Sequence, residues 1–378
     1  MWSIVLRLDF CGQGKKPLHH AGPWPLGRNP DDRRWSDQGK SAPMDNPFFL
    51  IALTLLLIAA VAMAVHHAEV VALKVGEPFG TLILAICVTV IEVALIAAIM
   101  LSDVPGGETI ARDAVFAAIM IVANGVVGFA ILAGGIRHHE LVFRIEGSNS
   151  ALTVLIALAA LTLVLPTFTT SSAGPTFTTS QLIFAGVASL TLYGTFVFVQ
   201  TVRHRDYFLP IEPAALSDRK VHVAPPSRQR TLRSSLLLVG ALVVVVVLAK
   251  ALTPAIERVV SAIGAPKAVV GVLIAGIVLA PESIAAIRAA MANRLQTSFN
   301  LALGSALASI GLTIPTVAVI SIVFDRPLSL GINSVGIVLL VLTLLASITT
   351  IAGGKTAVLQ GVVHLVIFFA YLFLTVIP

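Results

Sequence analysis

The sequence is short of charge: Asp, Glu, Lys and Arg make up 12% of its 378 residues, where a soluble domain carries about a quarter. So few charged groups cannot cover a water-soluble globule, and the apolar excess cannot hide in one core. Two cysteines, Cys11 and Cys87, give no disulfide framework and no thiolate metal spacing. A phosphate-binding loop is missing as well. The glycine-bearing segments 125–128 and 304–311 lie inside apolar runs and lack the lysine such a loop needs, which argues against ATP-driven pumping by this chain alone. The net charge of +6 does not point to nucleic acid, because the basic residues sit in a tail and in loops between apolar runs. Aromatic residues are scarce, at 6%; small ones abound, which suits closely packed helices.

What is present is hydrophobic: 57% of the residues, with a mean hydropathy of +0.96. The solvent for most of the chain is therefore lipid. The expectation is an all-α polytopic membrane protein of about ten transmembrane helices, each near the ~20 residues needed to cross the hydrocarbon. The runs are 47–65, 78–101, 111–135, 151–166, 180–202, 234–252, 266–287, 297–323, 330–351 and 355–377. The fourth reads as short, ending at Pro166. Residues 1–46 read as a polar, disordered tail. Residues 47–202 and 234–378 read as two five-helix repeats, and 203–233 as a basic loop between them.

Loops that follow odd-numbered runs hold thirteen Lys and Arg, seven of them in 203–233, against five in the even-numbered loops. The positive-inside rule puts the odd loops in the cytoplasm, and a bacterial inner (plasma) membrane is the expected location. That orientation leaves the tail outside despite its own seven Lys and Arg. A start-site or truncation artefact, or a missing preceding helix, is the expected source of the conflict. If translation began at Met44, Ala62-Met63-Ala64 would resemble a signal cleavage site, but no positive residue precedes that apolar run.

The two halves echo each other. Gly76-Glu77-Pro78 opens the second run and Gly264-Ala265-Pro266 the seventh. Each run continues to one intramembrane glutamate, Glu92 or Glu282. Asn124 and Gly128 in the third run answer Asn300 and Gly304 in the eighth. Five crossings per half is odd, so the second copy crosses in the opposite sense. This is the inverted-repeat arrangement of secondary transporters, whose site lies at the midplane between copies.

A carboxylate in mid-bilayer is costly and by default functional. Two facing one cavity repel, and low polarity disfavours their charge, so the pair is expected to hold either protons or a metal cation. Pro281, beside Glu282, removes a backbone donor and is expected to break the helix there, freeing carbonyl oxygens that could ligate a cation. Ser298, Ser305, Ser309 and Thr313 form a polar stripe at helical spacing, and Thr89 lies one turn before Glu92. Such hydroxyls also commonly bond to their own helix carbonyls. His66-His67-Ala68-Glu69 and Arg137-His138-His139-Glu140 fall at the ends of runs and read as solvated interface residues. His364 reads as a helix–helix hydrogen bond.

Residues 76–84 with 90–93, then Ala280-Pro281-Glu282, Asn293-Arg294-Leu295-Gln296 and 300–309, resemble the two signature regions of ChaA-type proton antiporters in the cation/Ca²⁺ exchanger superfamily. The resemblance covers about residues 47–378. It implies inverted five-helix repeats, cation and proton binding at Glu92 and Glu282, and completion of the site by Asn124, Asn300, Ser305 and Ser309. It also implies transport of Ca²⁺, or of Na⁺ or K⁺, against H⁺, with no resident cofactor. Some relatives carry a helix before the first run, and some an acidic central loop where this one is basic. The alternatives left open are a cation channel without proton coupling and, more weakly, an intramembrane serine protease using Ser305 and His364.

Overall fold

A computed structural model describes residues 47–76, 79–101, 107–209, 226–262, 264, 266 and 268–378. The tail 1–46, with the expectations attached to it, lies outside the described residues. So do Glu77, Pro78, Ala265 and residues 210–225 of the central loop.

Apolar runs in lipid have no water to bond their amides, so each folds as a helix that satisfies its own backbone. Ten helices are described: α1 (Pro47–Val75), α2 (Phe79–Met100), α3 (Gly107–His138), α4 (Ile145–Phe168), α5 (Thr179–Arg203), α6 (Arg228–Ala262), α7 (Ala268–Met291), α8 (Leu295–Val323), α9 (Ser334–Ala352) and α10 (Val358–Val376). Within α3, α4 and α5 the coil widens to π-helical turns at Ile121–Val126, Ala160–Val164 and Val199–Arg203.

The number and order of helices match the hydropathy reading, but several boundaries do not. The fourth helix is not short: it starts at Ile145 and carries Pro166 inside its final turn. The first runs ten residues past its expected end, so His66–Glu69 sit within α1 rather than at its terminus. The sixth has 35 residues and carries Lys250 on an exposed face. At ~1.5 Å per residue it is about 50 Å long, well beyond the ~30 Å hydrocarbon layer. Hydropathy detects only the stretch in lipid, whereas α6 continues beyond it, through Pro254, to Ala262.

Loop hydrogen bonds establish the sidedness of the crossings. On one face the loops after α3, α5, α7 and α9 are tied together. A two-residue strand β1 (Leu141–Val142) pairs antiparallel with β2 (Lys355–Thr356), and Glu140 meets Lys355 at 2.9 Å. The Arg144 amide donates to Gln296 Oε1, the Asn300 amide to the Phe208 carbonyl, and His138 Nε2 lies 2.9 Å from the Met291 carbonyl. On the other face Ser329 donates to the Glu108 carbonyl and Gly331 to that of Pro175. Odd loops thus meet odd loops and even loops meet even.

The centre of the bundle is made of α3 and α8, 83% and 56% buried over their apolar windows, against 28–44% for α1, α4–α7, α9 and α10. Their neighbours repeat: α8 packs on α2 and α5 as α3 packs on α7 and α10, while α1 packs against α6. Gly76 and Gly264 both take left-handed backbone, φ +79° and +67°, just before α2 and α7. An L side chain is strained there, so the shared motif reflects a shared turn. Contact between α3 and α10 depends on Gly361, where a Cβ would lie 2.7 Å from the Leu132 nitrogen.

Candidate functional site

Glu92 stands midway along α2 and is 2% exposed; Glu282 stands on α7 and is 7% exposed. Both turn toward α8. Ser309 Oγ donates to Glu92 Oε1 at 2.6 Å, and Ser305 Oγ donates to Glu282 Oε2 at 2.9 Å. Side chains four residues apart on a helix sit about 5–6 Å from each other. The α8 stripe therefore gathers two carboxylates from opposite halves of the chain onto adjacent turns. Hydrogen bonds to an ionised acceptor are strong, and here they fix one oxygen of each carboxylate. The other oxygen of each, Glu92 Oε2 and Glu282 Oε1, has no hydrogen-bond partner among the described residues.

The rest of the stripe stays on the same face. Ser298 and Thr313 are buried, and their hydroxyls have no partner among the described residues. Thr89 is buried near Glu92 but donates to the Ala85 carbonyl of its own helix. Pro281 leaves α7 continuous from Ala268 to Met291. The Ser283 hydroxyl bonds to the Leu279 carbonyl one turn back.

The two asparagines bond to groups other than the carboxylates. Asn124, on the π turn of α3, donates to Thr343 Oγ1 at 2.8 Å, and its Oδ1 lies 3.1 Å from His364 Nδ1. His364 Nε2 in turn meets Thr350 Oγ1 at 3.1 Å. The Thr343 hydroxyl gives its own proton to Leu339, so it accepts from Asn124. With the Asn124 amide so oriented, Oδ1 must accept from a proton on His364 Nδ1. His364 thus joins α3, α9 and α10, as the sequence reading anticipated. Ser305 and His364 serve different networks, so the protease pairing does not form.

Asn300 donates to the Phe208 carbonyl and accepts from Gln296. It also lines a cavity of about 30 Å³ together with Glu282, Ser305 and Gly304, room for roughly one water. Gly304 leaves that space open: a Cβ there would meet nothing within 4 Å. The opposite wall is α5, through Tyr193, Phe196 and Gln200. These three positions were not singled out from the sequence. Their i, i+3, i+7 spacing puts them on one helix face, but only packing identifies which face meets the cavity.

All these lining positions lie in the halves of α2, α5 and α8 nearest the odd loops. The cavity therefore extends from Glu282 toward the Arg- and Lys-rich face. Glu92 and Ser309 sit one turn deeper.

The histidine motifs at 66–69 and 137–140 form no metal centre: no cluster of three or more His, Cys, Asp or Glu occurs among the described residues.

Comparison with known proteins agrees with this architecture. A family model described as sodium/calcium exchanger protein matches residues 46–202 and 233–377. The protein y4hA of Sinorhizobium fredii is 50% identical over 327 residues, 85% of this chain and 87% of its own. The sodium-potassium/proton antiporter ChaA of Escherichia coli is 33% identical over 323 residues, again 85% and 87%. Among solved structures, the H⁺/Ca²⁺ exchanger CAX superimposes with a TM-score of 0.64 at 18% identity, covering 86% of this chain and 82% of that one.

Proposed function

Because the chain belongs to the sodium/calcium exchanger protein family, we propose that it is a secondary antiporter that moves Ca²⁺, Na⁺ or K⁺ across the membrane in exchange for H⁺, with Glu92 and Glu282 as the site both ions share. The observation that carries this reading is the pair of buried carboxylates, one from each half, held on successive turns of α8 by Ser309 and Ser305.

The chemistry follows from occupancy. Two bare carboxylates at mid-bilayer are too costly to persist, so the site is filled either by protons or by a cation. Two charges balance two protons, one divalent ion or two monovalent ions. A seryl hydroxyl that donates to one carboxylate oxygen leaves its own lone pairs and the second carboxylate oxygen able to face a cation. The hydroxyls thus orient the acids in either state. A Ca²⁺ ion takes six to eight oxygens at 2.3–2.6 Å; two glutamates and two serines supply most of them. Coupling arises because the empty, doubly charged site does not change its accessible side. The cavity below Glu282 gives the odd-loop face its access to the site.

The test is cation addition to everted vesicles that hold an imposed pH gradient. Ca²⁺, Na⁺ or K⁺ should collapse the gradient in proportion to exchanger content and without a change in membrane potential that a channel would produce. No response to any of the three ions would refute the proposal. The ranking among them assigns the physiological cargo.

A further inference from the structure

Gln200 is a polar residue on the wall of the cavity beside Glu282. It lies on the π turn of α5, is partly buried, and its amide has no hydrogen-bond partner among the described residues. Its neighbours on the same helix face, Tyr193 and Phe196, are buried and close the cavity wall with aromatic surface. Gln200 lines the same cavity as Glu282, Ser305, Gly304 and Asn300. The space is about 30 Å³, room for roughly one water, and Gln200 and Glu282 both line it.

The other polar groups here are committed. Ser305 bonds to Glu282, and both ends of the Asn300 amide are engaged, by Phe208 and by Gln296. Glu282 Oε1 and the Gln200 amide remain available. Like the seryl hydroxyls, an amide is a neutral group that can meet either state of this site. Its NH₂ can donate to an ionised carboxylate oxygen, and its carbonyl oxygen can ligate a metal ion.

We propose that Gln200 is a further cation-binding residue, whose side-chain carbonyl oxygen supplies a neutral ligand on the odd-loop side of Glu282 and helps set the ranking among Ca²⁺, Na⁺ and K⁺. This rests on the antiport reading above. A neutral oxygen adds coordination without charge. It therefore shifts the balance between ions of different size and valence without altering how many protons the two carboxylates exchange.

The test compares Gln200→Leu and Gln200→Glu with the full-length protein in vesicles, scoring the KM for each ion and the maximal rate at saturating ion. Gln200→Leu should raise the KM of the preferred ion about tenfold, the equivalent of losing one good ligand, while the maximal rate stays within about twofold. Gln200→Glu keeps the shape and adds charge, so it should improve Ca²⁺ relative to K⁺. KM values and ion ranking that match the wild type in both variants would overturn the proposal. If the leucine variant fails to fold, the glutamate variant decides: a changed ranking upholds the assignment and an unchanged one rejects it. Wild-type protein that shows no cation-driven proton flux would instead defeat the antiport reading. Calorimetric Ca²⁺ binding to purified wild type and Gln200→Glu then tests the ligand on its own, and equal affinity rejects it.

Discussion

Ser305 and Ser309, one helical turn apart on α8, donate their hydroxyl protons to carboxylates from opposite halves of the chain, Glu282 at 2.9 Å and Glu92 at 2.6 Å. The two halves are therefore not equal partners. α8 serves both acids, whereas its counterpart α3 commits Asn124 to Thr343 and His364.

Glu92→Gln and Glu282→Gln each remove one exchangeable charge while keeping size and hydrogen-bonding capacity. Each should abolish cation-dependent proton flux in everted vesicles, leaving expression and thermal unfolding close to wild type. Continued exchange by Glu92→Gln would show that the paired acids are not the shared site.

Ser309→Ala and Ser305→Ala leave the acids in place but untether them. A hydrogen bond to a charged group is worth about 1.5–3 kcal/mol, so each variant should raise the apparent KM for the cation by roughly tenfold or more. The maximal rate should fall less. Concentration–rate curves for both variants provide the check, and KM values equal to wild type would mean the hydroxyls do not position the carboxylates.

The pH dependence has a definite sign. Protons and cation compete for the same oxygens, so lowering pH fills the site with protons and raises the apparent KM, and raising pH lowers it. If two protons compete with one ion, the limiting slope is about a hundredfold per pH unit, and about tenfold if only one does. Initial rates at several pH values and cation concentrations measure that slope. A KM independent of pH would contradict competition at one site.

Gly304 keeps the cavity open, and nothing lies within 4 Å of a Cβ placed there. Gly304→Ala should fold normally, with the helix gaining about 0.5–1 kcal/mol from alanine. Gly304→Leu should fill the space below Glu282 and cut exchange severely, with overpacking of that small cavity costing about 1–3 kcal/mol of stability. Full activity of the leucine variant would place the ion path elsewhere.

His364 supports the other buried network. His364→Leu leaves Asn124 Oδ1 without its donor and Thr350 without its acceptor, and buried unsatisfied groups cost about 1–3 kcal/mol each. A clear drop in the melting temperature of detergent-purified protein is expected. An unchanged melt would mean that the network is dispensable for stability.

Much of this protein was legible without coordinates. Ten apolar runs, their odd number per half, the basic odd loops, the two isolated glutamates and the serine stripe all follow from the cost of placing polar groups in lipid. That cost acts residue by residue and leaves a one-dimensional trace. The ends of α1, α4 and α6 were not legible, because helices continue past the hydrocarbon into water, where hydropathy carries no signal.

Only the tertiary structure decided which polar group meets which. Asn124 and Asn300 occupy matching places in the sequence, yet one is held by His364 and the other by the Phe208 carbonyl. Gln200 and Tyr193 show no motif at all and become visible only where α5 lies across α8. The reason is physical: a hydrogen bond depends on a distance of about 3 Å between helices far apart in the chain, and composition along one helix does not specify its rotation against its neighbours.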